Sequence, residues 1–306
     1  MSTTVELFAV EPAPEGARLV PIPHAVEGPR PQTAIESLGL APGIYTGLRT
    51  FGGDRFLCLR EHLDRMERSM HLAGWGEARL DRKVLRRALA EVVRDRPNGG
   101  EDWNLRVDVF PPGSSLPGSN SRLLIARWPH HELPAAFRRD GVRLGVAERL
   151  HRFQPRVKAA EFAARRAPFP LVTREAFDHV MLDEAGRILE ATSANVYLVR
   201  SRTLHTAGSG VLEGITRRIV LELAEAAGLE IRLEAPALDE VGSFDEGFLS
   251  SSTRGIVPVI GIGEHTFASA TPGPVTRSLA AALERATLER ARPAWPPPAE
   301  ESGSSA

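Results

Sequence analysis

Apolar and polar positions follow two periods along this chain, and each period predicts an element. GIYTGLRTFGGDRFLCL carries two β-rich runs around a Gly-Gly-Asp turn, which predicts a hairpin. REHLDRMERSMHLAGW places Leu63, Met66, Met70 and Leu72 along one face of a helix. LDRKVLRRALAEVVRD predicts a second helix, ended by Pro97 and the Asn98-Gly99-Gly100 turn. Strands are predicted over 104–110, 122–127 and 142–147. The second half alternates: a helix over 159–176, strands over 179–182 and 196–199, a helix over 215–227, strands over 230–234 and 248–249, and a final helix from Val275.

Residues 1–33 and 291–306 show no sustained period and are rich in Pro with Gly, or Pro with Ala and Ser. A chain of 306 residues exceeds the size of one comfortable core, so more than one domain is expected. The reading is a loose segment over 1–33, a small α/β domain over 34–128, and a connection over 129–141. A mixed α/β domain over 142–290 and a disordered tail over 291–306 complete the chain. No solenoid-type repeat interrupts this order.

Charge excludes some functions. With 38 basic against 39 acidic residues the chain has no electrostatic footprint for nucleic acid or an anionic membrane. Cys58 is the only cysteine, so no internal disulfide forms, and a reducing compartment, the cytoplasm, is expected. The N-terminus has no basic region followed by an apolar run, and no stretch approaches the roughly 18 apolar residues of a membrane span. His130 and His131 read as solvated loop histidines with no metal-ligand spacing, and no metal site is expected.

The basic total hides an asymmetry: only Lys83 and Lys158 are lysines, the rest being arginines. Lys83 falls among Arg82, Arg86 and Arg87 on the polar side of a helix and reads as a solvated charge. Lys158, in LHRFQPRVKAAEFAARR, reads either as an exposed lysine at a helix start or as a partly desolvated amine, which would be nucleophilic. Glu190, in GRILEATSANVYLV, is a solvated hairpin residue or a placed carboxylate. Gly208, Gly210 and Gly214 precede an amphipathic helix whose first amides, with the Thr216 hydroxyl, make either a cap or an anion site. Ser250, Ser251, Ser252 and Thr253 form a polar turn or a second set of donors for phosphate oxygens. An amine, a carboxylate and two donor loops are together the requirements of a pyridoxal phosphate site.

From Pro42 to Leu283 the order and wording of these segments resemble the class IV, or fold type IV, pyridoxal phosphate enzymes: branched-chain and D-amino acid aminotransferases and aminodeoxychorismate lyases. The resemblance runs through YTGLRTFGG, REHLDRMERS, the lysine segment, LEATSANVYLV, VLEGITR, FLSSSTRGIVPV and the GPVT of Gly273–Thr276. It implies an α+β fold of two domains, a smaller N-terminal and a larger C-terminal one, a homodimer, and pyridoxal 5'-phosphate as cofactor. It further implies Lys158 as the Schiff-base lysine and proton shuttle, and Glu190 as partner of the pyridine nitrogen. Arg65, Ile215, Thr216, Ser252 and Thr253 match the phosphate positions, and Tyr45, Arg49 and Arg106 the substrate pocket.

The chain departs from the family pattern in three places. Glu161 and Phe162 follow the lysine where many relatives have Asn, or Asn and Tyr. Ala194 replaces the Glu typical of branched-chain enzymes, and Phe110-Pro111-Pro112-Gly113 replaces an Arg-Gly pair. The implied reaction is amino transfer between an amino acid and a 2-oxo acid. The alternatives are elimination of pyruvate from aminodeoxychorismate and, outside catalysis, a binding protein of the same fold.

Overall fold

The structure is a computed structural model and describes residues 5–14, 16–23, 31–76, 78–95, 102–173, 175–269 and 271–296. The predicted Pro97 and Asn98–Gly100 turn and the tail beyond 296 lie outside these residues. The chain forms two compact units. One comprises Met1–His131, Val157–Ala164 and Leu288–Ala306, the other Glu132–Arg156 and Arg165–Thr287. The first unit recruits residues from two later stretches of the sequence.

The first unit contains strands β1 (Glu6–Glu11), β2 (Arg18–Pro21), β3 (Ile44–Phe51), β4 (Arg55–Phe56), β5 (Trp103–Val109) and β6 (Leu123–Pro129). Helices α1 (Pro31–Glu36), α2 (Leu59–Leu72) and α3 (Arg82–Val92) accompany them. A last strand from the C-terminus, Arg292–Pro293, completes an antiparallel seven-stranded sheet by pairing with β4. Residues 6–11 and 18–21, expected to be loose, form its far edge. In β1 the apolar residues point to both faces, Leu7 and Ala9 to one and Val10 to the other, so no polar alternation marks it as a strand.

Both faces of this sheet are covered. Leu63, Met66 and Met70 of α2 and Leu85, Ala88 and Leu89 of α3 pack on Leu48, Leu105 and Val107. On the other face Ala34 and Ile35 of α1 pack with Leu7, Ala9, Leu124 and Ala126. Strand β3 serves both: Ile44, Thr46, Leu48 and Thr50 are buried, while Tyr45, Gly47, Arg49 and Phe51 are half-buried. His130, expected to be solvated, is buried, and its Nδ1 lies 3.1 Å from Asn104 Oδ1.

The second unit contains α4 (Ala135–Arg139), β7 (Val142–Val146), β8 (Asp178–Leu182), β9 (Ile188–Ala191), β10 (Asn195–Arg200) and β11 (Thr203–His205). It continues with α6 (Ile215–Ala226), β12 (Glu230–Arg232), β13 (Glu246–Ser251), β14 (Gly255–Ile262), β15 (His265–Thr266) and most of α7 (Pro274–Arg290). Its nine-stranded sheet closes on itself, because β10 pairs with β13 along one edge and meets β9 on the other through Asn195 and Glu190. Strands β10, β13, β14, β7, β8 and β9 thus form a barrel around Val180, Ile188, Val196, Leu249, Val257 and Val259.

The helix predicted over 159–176 is only α5 (Ala160–Arg165). Pro168 and Pro170 lack the N–H that a helix needs and drive the residues before them to extended backbone. Strand β14 carries Pro258 opposite Phe248, and its parallel ladder to β7 begins one residue later, at Val259. Among the described residues no helix is long and apolar enough to cross a membrane.

Candidate active site

In the first unit the lysine is placed by its own backbone. The Lys158 N–H donates to Ser69 Oγ at 3.3 Å, and the Lys158 carbonyl accepts from the Tyr45 N–H at 3.0 Å. The adjoining Ala159 bridges to Ile44, and the Ala160 N–H reaches the Gly43 carbonyl at 2.8 Å. The residue is thus fixed along the start of β3, half-buried, with Nζ 4.8 Å from the centre of the Tyr45 ring. The negative face of that ring favours a cation there.

On the buried side of β3 stands a polar chain within the apolar α2 interface. Arg65 is 4% exposed, and its Nη2 donates to Thr46 Oγ1 at 3.1 Å. The Thr46 hydroxyl also shares a hydrogen bond with His62 Nδ1, 2.8 Å away. The His62 ring is held well below its ordinary pKa, by burial first and then by the charges of Arg65 and Lys158.

Arg106 lies on the opposite face of the sheet with its guanidinium engaged. Nε donates to Asp108 Oδ2 at 2.7 Å, Nη2 to Asp108 Oδ1 at 2.6 Å, and Nη1 to Gln32 of α1. The Tyr45 ring covers it, with Cζ 4.0 Å from the ring centre. Arg106, expected to receive a substrate carboxylate, forms a buried bidentate ion pair with Asp108. The side chains are 6% and 1% exposed, so removing Arg106 from the pair would strand a buried carboxylate. Arg49 stands 3.5 Å from Asp102, with Cζ 5.0 Å from the centre of the Phe51 ring.

In the second unit Glu190 is 2% exposed, not a solvated hairpin residue. Its Oε1 accepts from Arg152 Nε at 2.8 Å, and its Oε2 from the Leu212 N–H at 3.2 Å and Asn195 Nδ2 at 3.4 Å. Asn195 also donates to the Leu212 carbonyl at 3.1 Å, which ties the loop before α6 to the barrel. Gly214 is the residue before that helix, and a Cβ there would stand 2.3 Å from Asn195 Oδ1. No side chain caps α6. Thr216 Oγ1 and Ser252 Oγ lie 3.3 Å apart beside its first turn, and Ile215 is buried. Thr253 is half-buried in the turn that follows β13.

Thr46, His62, Ser69, Arg152 and Asp108 escaped sequence reasoning. A signal existed for His62, Arg65 and Ser69: they fall at helical spacing among the buried residues of α2, polar positions inside an apolar stripe. Arg152 gives no such signal in a chain where arginine carries nearly all the positive charge.

Comparison with known proteins adds the family. The chain matches the family model for amino-transferase class IV over residues 43–262. A D-alanine aminotransferase of Bacillus licheniformis is 36% identical over 115 residues, which span 37% of this chain and 40% of the relative's length. The solved branched-chain amino acid aminotransferase of Thermobaculum terrenum, in its PLP form, aligns with a TM-score of 0.70 at 20% identity, covering 96% of this chain and 99% of that one. The 4-amino-4-deoxychorismate lyase of Pseudomonas aeruginosa aligns with a TM-score of 0.62 at 24% identity, covering 79% and 90%. These two structural likenesses show the fold. The family model spans well over half of the chain, which therefore belongs to the class IV aminotransferases.

Proposed function

We propose that this chain is a pyridoxal-phosphate-dependent aminotransferase, moving an amino group between an amino acid and a 2-oxo acid through Lys158. The observation that carries the proposal is the placement of Lys158: its backbone is pinned by Ser69 and Tyr45, which sets its amine 4.8 Å from the centre of the Tyr45 ring.

The donor set fits the cofactor. A buried carboxylate paired with an arginine, Glu190 with Arg152, suits a protonated pyridine nitrogen. The first turn of α6, with no side-chain cap and with Thr216 and Ser252 beside it, suits a phosphate. Arg65 adds a permanent charge of the same use, and Ile215 and Thr253 complete the set. When bound, the cofactor supplies an electron-withdrawing ring that makes the substrate Cα–H acidic.

The residues of the chain do the rest. Lys158 Nζ accepts the Cα proton and returns it on the far side of the transfer, for which an amine freed beside the substrate is suited. Tyr45 holds that amine in place between the two events. Glu190 keeps the proton on the ring nitrogen, and Arg152, Asn195 and the Leu212 N–H prevent the carboxylate from turning away.

Borohydride reduction of the protein with pyridoxal phosphate tests this. The expected result is cofactor fixed covalently on Lys158 in the intact protein and none in Lys158→Ala. Addition of an amino acid should bleach the visible band and yield the matching 2-oxo acid. Fixation on Lys83, or none, overturns the reading. Release of pyruvate from aminodeoxychorismate without amino transfer would identify a lyase instead.

A further inference from the structure

The Arg106 guanidinium is engaged by Asp108, and an arginine of the second unit has a buried donor without a hydrogen-bond partner. Arg254 follows Thr253 in the turn between β13 and β14. Its Nε donates to Ser251 Oγ at 3.2 Å, and its Nη2 to Ser193 Oγ and to the Ser193 carbonyl at 3.4 Å. Its Nη1 is buried and has no hydrogen-bond partner. A buried donor in this condition calls for an acceptor.

The nearest carboxylate does not supply one. Asp178 is fully buried and already accepts from the hydroxyls of Thr192 and Ser193 and from the His179 N–H. It stands 3.5 Å from Arg254 Nη2, a long contact. A second guanidinium, Arg166, donates to the Thr192 carbonyl at 3.3 Å. It lies near enough to ease the proton off Arg254, an effect that burial dominates and Asp178 opposes. Two guanidiniums against one carboxylate leave a net positive charge in this cluster.

Register places the cluster at the barrel end that carries the other candidate residues. Asn195 pairs with both Ser250 and Glu190, Ser251 pairs with Gly255, and Asp178 opens β8 beside β7. Arg254, Glu190, Asn195 and Ser252 therefore share one rim. We propose that Arg254, supported by Arg166, is the residue that receives the carboxylate of the amino acid and 2-oxo acid, an assignment that rests on the aminotransferase reading for the identity of its ligand. Nη1 supplies the hydrogen bonds, and Arg166 supplies the charge that makes the exchange of water for carboxylate favourable.

The full-length protein is titrated calorimetrically with propionate and, separately, with inorganic phosphate. Propionate should bind saturably, roughly tenfold or more weakly in Arg254→Met and several-fold more weakly in Arg166→Met. Arg254→Lys keeps the charge without the fork and should fall between wild type and Arg254→Met, which guards against misfolding of the larger change. Arg187→Met removes an exposed arginine of the β8–β9 hairpin paired with Asp183 and should bind within about twofold of wild type. Propionate binding that is absent from wild type, or equal in Arg254→Met, overturns the proposal. So does an equal loss in Arg187→Met, which would make the effect one of net charge. Arg254-dependent binding of phosphate but not propionate would assign the site to phosphate. Borohydride fixation on Lys158 is read separately, so propionate binding without fixation would indict the aminotransferase reading and spare the anion site.

Discussion

His62 is neutral in the folded protein because burial and the charges of Arg65 and Lys158 hold its pKa well below 6.5. In the unfolded chain the same ring titrates near its ordinary value. The unfolded state therefore binds more protons below about that pH, and stability is lost as pH falls from there toward the folded value. Above it the contribution is constant. His62→Gln should flatten the slope of unfolding free energy against pH between about 7 and 5, measured by urea melts across that range. A slope as steep as that of wild type would show that other groups set it. Thr46→Val tests the same chain without a titrating group. It strips Arg65 Nη2 and His62 Nδ1 of their common partner, and should destabilise the fold by about 1–3 kcal/mol in a urea melt. It should also weaken the affinity for pyridoxal phosphate, read by cofactor absorbance. At this scale the sequence singled out Lys158 through the rarity of lysine, and Arg65 and Glu190 through their motifs. It could not show that Asp108 closes Arg106, since a residue two positions along a strand becomes a partner only where both side chains are buried.

Helix α7 begins without a capping side chain of its own, and a strand residue caps it. Glu246 of β13 accepts from the Val275 N–H at 3.0 Å and the Thr276 N–H at 2.7 Å, placing a buried negative charge on the helix N-terminus. Gly273 permits this approach, since a Cβ there would fall 2.2 Å from Glu246 Oε1. Glu246→Ala should cost about 1–2 kcal/mol of stability in denaturant unfolding. A change within about 0.5 kcal/mol would mean that water caps the helix equally well. The helices α2, α3, α6 and α7 were legible because each keeps an apolar stripe and a plain stop. Strands β1 and β14 were not: one is apolar on both faces and flanked by prolines, the other holds Pro258 inside the strand, and both features imitate loop composition. The shortness of α5 could have been read from Pro168 and Pro170.

At the scale of the molecule, the first unit depends on residues 292–295, which follow the whole of the second unit in sequence. Arg292–Pro293 pairs with β4, Ala294 is buried in the core under α3, and Trp295 lies under Arg87 with 4.5 Å between Cζ and the ring centre. Truncation after Thr287 should lower the melting temperature by several degrees and expose apolar dye-binding surface, measured by thermal denaturation with a dye. An unchanged melting temperature would show that these contacts are dispensable. Domain order could be anticipated from composition, but the return of the last residues could not. A two-residue strand containing proline has no period to read.

That return also sets a timetable. The first unit is assembled from residues 1–131, 157–164 and 288–306, so the stretch made first is completed only after the second unit's residues are made. During synthesis at roughly 5–20 residues per second, β4 has β3 on one side while its other edge stays open until Arg292–Pro293 leaves the ribosome. Lys158 arrives midway, on an eight-residue excursion from the sequence of the other unit. A nascent chain stalled beyond Lys158 thus already holds that residue but lacks the strand that covers the outer edge of β4, a stage at which chaperone capture and aggregation would compete with folding.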